Sequence, residues 1–457
     1  MREIYTLILF ICLAINSNAQ SIAGGYYHTL TVCEDSTVMA FGGNFTGQLG
    51  NGTSSPSSIP VSVSGASFIV AVSAGDNFSM ALKSDGTVLT WGNNNSGQLG
   101  DGTFIESNVP VLVSGLTGVV SISAGGSHAI AAKDDGTLWT WGVNNSGQAG
   151  DGTAGNSSNV PTIVTGSTDF IKVAAGGNHN IALKSDGTVW AMGAGTVGVL
   201  GTGTNSSSFV PVQSNTLPGV IDIASGQSTA YAINADSTVS AWGYGVNGQL
   251  GNGVNISSLS PVLVNSLTQI THLASGFGLH AMGRKVDGTL WVWGHNDYGQ
   301  LGDGTNTSNN SPVQLMAPVD MFQVALGNVH SIATKSDGST WTWGSNSAGQ
   351  IGNGTTVDTN VPAQVAGLCN VKNPDFTGIS ELKSKLITLY PNPASSVLNI
   401  NNGVLEIDEV QIIDLSGKTI RIESFHTQID ISSLSRGIFF IKLISDEGVF
   451  TERFIKQ

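Results

Sequence analysis

Charged side chains are scarce in this sequence, and basic ones are the scarcest. Lysine and arginine number 17 against 31 acidic residues, and charged residues make up 11% of the chain. Between residues 20 and 370 the imbalance is 7 basic against 19 acidic residues, a net charge of −12. A protein that binds nucleic acid needs a basic surface facing the phosphates. The sequence therefore argues against a nucleic-acid partner, while its 40% hydrophobic content is ample for a folded core.

Long apolar runs are also rare. One lies at the start of the chain, where Arg2 precedes the run 7–15 and small residues follow at 17–19. This pattern predicts a secretory signal peptide over residues 1–19, with Gln20 as the first mature residue; a short buried strand is the alternative. The run is too short to span a bilayer, so we expect no transmembrane segment in the mature protein.

The rest of the chain is dominated by a repeat. The stretch Trp91–Thr103, which reads WGNNNSGQLGDGT, recurs at steps of 50 or 51 residues. A second shared stretch lies upstream of each copy, and 175–190 is a full version of it. A fixed period of this length, built from short strands and glycine turns, indicates radial or solenoidal repetition. The seven copies begin at Phe41, Trp91, Trp141, Met192, Trp242, Trp293 and Trp343.

Each copy carries the pattern of a small antiparallel sheet. The runs 179–183 and 188–192 alternate in polarity and are separated by Ser-Asp-Gly, a hairpin turn. In Trp139-Thr140-Trp141 two aromatic residues lie at i and i+2, on one face of a strand. A four-stranded sheet cannot bury such rings alone, so each sheet must pack against a neighbour. Seven sheets in a ring satisfy this need, and we predict an all-β, seven-bladed β-propeller.

These repeats resemble the regulator of chromosome condensation repeat. The resemblance covers residues 21–368, implies a seven-bladed propeller, and places this domain at 20–369. Tryptophan is replaced by Phe41 and Met192 in two copies. Two roles of that family are not expected here: the acidic charge opposes chromatin binding, and Ran-type nucleotide exchange needs an inserted wedge that the regular spacing leaves no room for. An export signal also separates the chain from an intracellular GTPase.

Two cysteines remain after removal of the signal peptide. Cys33 follows a strand of the first repeat, and Cys369 follows the last repeat. In a ring the first and last repeats are neighbours, and an oxidising compartment permits a disulfide. We therefore predict a Cys33–Cys369 disulfide that holds the ring closed; two free thiols are the alternative.

A different domain follows the repeats. Residues 370–385 lose the repeat and are predicted to be a linker, and 386–457 show the alternation of a small β-sandwich. The motifs of this tail resemble the type A C-terminal sorting domain of the type IX secretion system. The resemblance implies contact with that secretion machinery, delivery outside the cell or to the outer-membrane surface, and removal of the tail; an ordinary adhesive sandwich is the alternative. The motif residues are Pro391, Asn392, Pro393, Gly417, Lys418 and Gly437.

Motifs with catalytic or cofactor chemistry are weak. Residues 193–198 have a dinucleotide-binding spacing, but they are the fourth copy of the repeat turn, without a following helix. Histidines recur at one position in different repeats, which suggests metal binding, although a histidine bonded to backbone explains them better. Aspartates in Gly-Asp-Gly-Thr turns suggest calcium, but asparagine replaces them in other copies and turn capping fits both. We predict no cofactor, no metal and no catalytic residue. The histidines are His28, His128, His179 and His330, and the aspartates are Asp101, Asp151 and Asp303.

What remains is a rigid disc with variable loops, and we predict a non-catalytic binding module exported to the cell surface or medium. Its partner would be a protein or a glycan, held by aromatic loop residues. Two alternatives stay open: a secreted enzyme, for instance one that acts on glycans, and a structural surface component. The candidate partner-binding residues are Tyr26, Tyr27, Phe45, Phe104, Tyr244, Phe277 and Tyr298.

Overall fold

The computed structural model describes residues 20–217, 219–318, 320–372, 388–390, 394–401, 407, 409–413, 419–424, 426–445 and 448–456. The predicted signal peptide and most of the predicted linker lie outside these ranges. The chain divides into two compact units, residues 1–374 and 375–457.

The first unit is built from seven antiparallel four-stranded sheets, each made of four consecutive strands. We call these sheets blades 1 to 7. Their strands are β1 Ile22–Gly24, β2 His28–Val32, β3 Val38–Gly42, β4 Ser57–Ser62; β5 Ile69–Ala74, β6 Phe78–Lys83, β7 Val88–Gly92, β8 Ser107–Leu112; β9 Val119–Ala124, β10 His128–Lys133, β11 Leu138–Gly142, β12 Ser158–Ile163; β13 Phe170–Ala175, β14 His179–Lys184, β15 Val189–Gly193, β16 Ser208–Gln213; β17 Val220–Ser225, β18 Thr229–Asn234, β19 Val239–Gly243, β20 Ser258–Leu263; β21 Ile270–Ser275, β22 His280–Lys285, β23 Leu290–Gly294, β24 Asn309–Leu315; β25 Met321–Leu326, β26 His330–Lys335, β27 Thr340–Gly344 and β28 Thr359–Gln364.

The blades form a closed ring. The first strand of each blade contacts the first strand of the next, and β1 contacts β25, so the last blade meets the first. The predicted seven-bladed propeller is therefore confirmed. A ring of this kind buries both faces of every sheet and leaves each blade one short outer edge.

Tryptophan holds neighbouring blades together. Trp91 is fully buried, and its Nε1 donates a hydrogen bond to the backbone oxygen of Gln48 in the preceding blade, at 2.9 Å. The same bond at the same length recurs for Trp141, Trp242, Trp293 and Trp343. The indole ring is thus buried and its N–H group is hydrogen-bonded, as a buried tryptophan requires.

Ring closure uses both ends of the propeller chain. Val371 pairs with Cys33 in an isolated bridge, and the backbone N–H of Lys372 donates to Val32 at 2.7 Å. Val32 in turn donates to Ser21 at 2.7 Å, next to β1. Residues 371–372 and 21–24 therefore share the innermost position of blade 1, which one continuous strand fills in every other blade.

A disulfide lies beside this junction. Cys33 and Cys369 are bonded, with their Cα atoms 5.6 Å apart and a sequence separation of 336. The chain therefore closes its ring covalently at the point where its two ends share a strand position.

The outer edge of every blade carries proline. Because proline has no N–H to donate, a strand from another chain cannot pair fully with such an edge. The fourth strands are thus protected against edge-to-edge association. These residues are Pro60, Pro110, Pro161, Pro211, Pro261, Pro312 and Pro362.

The second unit is built from seven further strands, which are β29 Thr388–Tyr390, β30 Val397–Asn401, β31 Glu409–Ile413, β32 Thr419–Ser424, β33 Gln428–Asp430, β34 Gly437–Ser445 and β35 Gly448–Lys456 in the described residues. They form two antiparallel sheets, ordered β29-β30-β33 and β32-β31-β34-β35, around one core. Leu398 and Ile429 of one sheet and Val410 and Ile441 of the other belong to that core. Of the predicted sorting motifs, Gly437 begins β34, while Pro391, Asn392, Pro393, Gly417 and Lys418 lie outside the described residues.

Candidate functional site

The two faces of the propeller are built from different connections. The links between first and second strands and between third and fourth strands lie at one end of each blade, which we call the loop face. Tight turns between second and third strands, and the links to the next blade, lie at the other end, the turn face. All seven aromatic candidates from the sequence lie in loop-face connections.

Hydrogen bonds join the inner loops of the loop face around the axis. The N–H of Tyr26 in blade 1 donates to Gly75 of blade 2 at 3.3 Å, and Asn328 of blade 7 donates to Gly25 of blade 1 at 3.1 Å. Similar bonds link blades 2 to 3, 3 to 4 and 4 to 5. Asp76 lies in this ring, and burial raises the pKa of its carboxyl to about 6. The inner loops are therefore held to one another as well as to their own blades.

The outer loops are organised by asparagine. In blade 2, Asn94 accepts the N–H of Leu99 through Oδ1 and donates through Nδ2 to the carbonyls of Thr103 and Ile105. Asp101 accepts both the N–H and the hydroxyl of Thr103 at 2.9 Å. The same capping is made by Asp151, Asp303, Asn51 and Asn353, as the turn-capping interpretation predicted.

Tyr27 of the loop face interacts with two other tyrosines, Tyr26 and Tyr298. The rings of Tyr26 and Tyr27 meet edge to face with centroids 4.6 Å apart. Burial, then the Tyr26 hydroxyl, then the nearby Tyr298 hydroxyl raise the pKa of Tyr27. Tyr26 and Tyr27 are half-buried, whereas Tyr298 is 45% exposed. We call these residues the tyrosine cluster; it brings together blades 1 and 6, which are separated by blade 7 in the ring.

The other aromatic candidates differ in exposure. Phe45 and Phe104 are exposed, and Tyr244 is half-buried. The expectation that Phe277 is exposed was wrong, because only 6% of it is accessible. Its loop is one residue longer than its counterparts, and the longer loop lies so close to the next one that a Cβ on Gly278 would meet the Asn328 carbonyl.

The repeated histidines join blades. Nε2 of His28 is 3.0 Å from the Ser79 hydroxyl of the next blade, which itself donates to the Gln48 carbonyl at 2.8 Å. His128, His179, His280 and His330 also bond side chains of the next blade, where a bond to backbone was expected. His280 was missed in sequence because the longer loop of blade 6 shifts it by one residue. Within the described residues no three histidine, cysteine, aspartate or glutamate side chains are placed to hold a metal ion.

Burial keeps these histidines neutral. It lowers the pKa of His28, His179, His280 and His330 to about 3 and that of His128 to about 4. Each ring therefore serves as a neutral bridge between blades at physiological pH.

Each blade has one position that is usually histidine. The residue directly after that position is polar or alanine according to whether the preceding blade has a histidine there. Ser79, Asn180, Ser331 and Thr29 face histidines. Where Phe78 and Thr229 replace histidine, the next blade has alanine, at 129 and 281. Only His179 departs from this, since it bonds Ser225 on the first strand of the next blade. This correspondence is visible in the sequence and could have shown the histidines to be interface residues.

Residues 193–198 belong to the loop between β15 and β16, two antiparallel strands of one blade. The residues Thr196–Gly198 form a short 3-10 turn there. This is the repeat turn predicted from the sequence, outside any strand–helix–strand unit.

The residues that the structure describes include no helix that could span a membrane.

Charge is divided between the two faces. All seven basic residues of 20–370 lie at the turn-face end of their strands, together with 12 of the 19 acidic ones. The other seven acidic residues lie on the loop face, which carries no lysine or arginine in its described connections. The aromatic candidates therefore lie on a face with uniformly negative side-chain charge. The seven are Asp76, Asp101, Glu106, Asp151, Asp297, Asp303 and Asp358.

Comparison with known families accounts for nearly the whole described chain. The regulator of chromosome condensation (RCC1) repeat matches residues 35–82, 85–132, 135–183, 186–233, 236–279, 287–334 and 337–380. The secretion system C-terminal sorting domain matches residues 388–457. The first repeat match starts at the turn before β3 and ends in β6, so it runs across the border between two blades.

Solved structures share the propeller fold. Prp20p from Saccharomyces cerevisiae, described with its binding to Gsp1p and histones, is 21% identical with a TM-score of 0.64, over 77% of this chain and 87% of that one. Human WBSCR16 is 28% identical with a TM-score of 0.62, over 69% of this chain and 88% of that one.

Proposed function

The chain belongs to the regulator of chromosome condensation repeat family, and from this premise we propose that it is an exported recognition module that binds a partner without transforming it. Its sorting domain indicates type IX secretion to the extracellular space or the cell surface. The partner-binding surface in this proposal is the loop face around the tyrosine cluster.

The observation that carries the proposal is the tyrosine cluster on a rigid support. The N–H of Tyr26 donates to Gly75 of the next blade, and the carbonyl of Tyr27 accepts the N–H of Gly43 in its own blade. Tyr298 comes from a loop held by the side chain of Asn296. Aromatic side chains that are preordered and partly exposed contribute much of the energy at binding surfaces, because little conformational entropy is lost on binding.

The relatives support a binding role in general terms. Prp20p is described with protein partners, which is consistent with a propeller used for recognition. Those partners are not carried over, since this chain has a sorting domain for export.

Affinity capture tests the proposal. The mature protein is immobilised, exposed to material from the surroundings of the source cells, and compared with its Tyr298→Ala variant. Blade 7 has Ala348 at the same repeat position, so the substitution copies a residue that the fold already accepts. We expect the variant to lose the captured partner and to keep its melting temperature.

A matched control is Phe209→Asn on the outer edge of blade 4. Phe209 is 44% exposed, close to the exposure of Tyr298, and blade 3 has Asn159 at that position. This variant should retain capture. Equal capture by wild type and Tyr298→Ala contradicts the proposed surface, and conversion of the captured material by the purified protein contradicts a non-catalytic role.

A further inference from the structure

The carboxylates of the loop face have no lysine or arginine partner in the described part of the chain. Asp101 and Asp303 accept only neutral donors from threonine and asparagine, and Asp358 accepts the N–H of Asn346 at 2.7 Å. Asp297 lies 3.0 Å from His295, and its side chain is 68% exposed.

On the turn face, basic residues lie among the acidic ones and interact with them or with aromatic rings. Lys83 and Lys133 lie 3.0 and 3.5 Å from Asp85 and Asp135, two residues further along the chain. Lys172 pairs with Asp222 of the next blade. Other lysines stack over tryptophan, and Nζ of Lys285 is 4.2 Å from the ring centroid of Trp291. The basic residues of this propeller thus all interact with partners on one face, the turn face.

We infer that the loop face binds a polypeptide segment rich in arginine and lysine, with the tyrosine cluster and Asp297 at its centre. The inference rests on the proposed function and adds the chemistry of the partner. Arginine and lysine are the side chains that gain from both features of this face, since they pair with carboxylates and stack on tyrosine.

Other occupants use only part of the surface. A neutral glycan can stack on aromatic rings and donate hydroxyl hydrogen bonds to the carboxylates around them, but it brings no positive charge to neutralise those carboxylates. An anionic glycan or a nucleic acid is repelled by the same carboxylates. A basic segment is therefore the partner that this distribution of charge favours.

Binding of defined probes tests the inference on the whole mature protein. The probes are fluorescent peptides of alternating arginine and glycine, glutamine and glycine, or glutamate and glycine, and a neutral oligosaccharide of glucose. Anisotropy is measured at low and at raised salt. We expect the arginine peptide to bind most tightly and its affinity to fall with salt, because the attraction is screened.

Two sets of variants remove the same charge from opposite faces. The loop-face set is Asp297→Asn, Asp303→Asn and Asp358→Ser, which copies Asn95, Asn353 and Ser308 from other repeats. The turn-face set is Glu34→Ser, Asp134→Ser and Asp320→Gln, which copies Ser84 (twice) and Gln269. Each exposed charge pair changes an affinity by roughly a factor of two, so the three substitutions of the loop-face set together should weaken binding of the arginine peptide roughly tenfold.

The outcomes separate this inference from the proposed function. A tenfold loss confined to the loop-face set, with a further loss in Tyr298→Ala, supports the inference. Equal losses in both sets mean attraction by net charge alone and overturn it. Binding of the oligosaccharide instead of the arginine peptide, lost in Tyr298→Ala, overturns it while leaving the proposed function standing. If no probe binds and capture by wild type and Tyr298→Ala is equal, both fail.

Discussion

Mild acid should destabilise this propeller strongly, because five buried histidines bridge its blades. They are neutral in the folded state, with pKa values of about 3 to 4, against 6.5 in an unfolded chain. Above pH 6.5 the histidines are neutral in both the folded and the unfolded state, and their burial does not reduce the free energy of unfolding. As the pH falls below 6.5 the unfolded chain takes up protons that the folded one does not, so the free energy of unfolding decreases.

The size of the effect follows from the pKa differences. Each histidine removes about 1.4 kcal/mol per pH unit in this range, so at pH 5 the loss is about 2 kcal/mol for one histidine and approaches about 10 kcal/mol for all five. This is comparable with the whole stability of an ordinary domain. Asp76 works in the opposite direction, because its pKa is raised to about 6 and the folded state binds the proton more tightly; it offsets only about 1 kcal/mol.

Urea unfolding followed by tryptophan fluorescence at pH 7, 6 and 5 measures the slope. The double variant His128→Phe with Asn180→Ala copies the interface that Phe78 and Ala129 already make between blades 2 and 3. It should lose about one fifth of the pH dependence while remaining folded at pH 7. A free energy of unfolding that stays constant between pH 7 and 5, or a slope unchanged in the double variant, would refute the assignment of these histidines as neutral bridges.

Two further predictions concern closure and packing. The unfolded, unreduced mature protein should show no free thiol, and Cys33→Ser should lower the free energy of unfolding by on the order of 5 kcal/mol, since the disulfide closes a very long loop; two titratable thiols would contradict this. Gly100→Ala should lower the free energy of unfolding by about 3 kcal/mol in a melting experiment, because the φ of Gly100 is +65° and a Cβ there would lie 2.8 Å from Trp141. The control Gly102→Ala has a φ of +91° and open space around the Cβ, so it should lower the free energy of unfolding by about 1 kcal/mol. Equal losses would exclude the tryptophan contact as the cause.

Local signals were enough for the fold. The hairpin at Ser84–Gly86 depends on neighbours in sequence: Gly86 takes a positive φ, and Asp85 accepts Thr87. The buried ring of Trp91 depends on a period that brings the same surfaces together in every blade. Repetition therefore turned a local pattern into a global prediction.

The candidate site was less predictable because it depends on loops distant in sequence. That Tyr27 and Tyr298 lie close together follows from ring closure, which places blades 1 and 6 on either side of blade 7. Phe277 was misjudged because one added residue changed the course of its loop. The histidines were correctly judged structural, but their partners lie across a blade border, about 50 residues away.

Strand alternation, turn chemistry and charge are properties of neighbouring residues, so they were sufficient to predict seven sheets in a ring, an export tail and an acidic domain. How those properties are distributed in space depends on the fold. It put residues 371–372 beside β1 in one composite strand position. It also placed the lysines and arginine of residues 20–370 on one face and left the tyrosine cluster among carboxylates without such partners on the other. The reason is that successive strands run in opposite directions, so that their two ends lie on opposite sides of the disc.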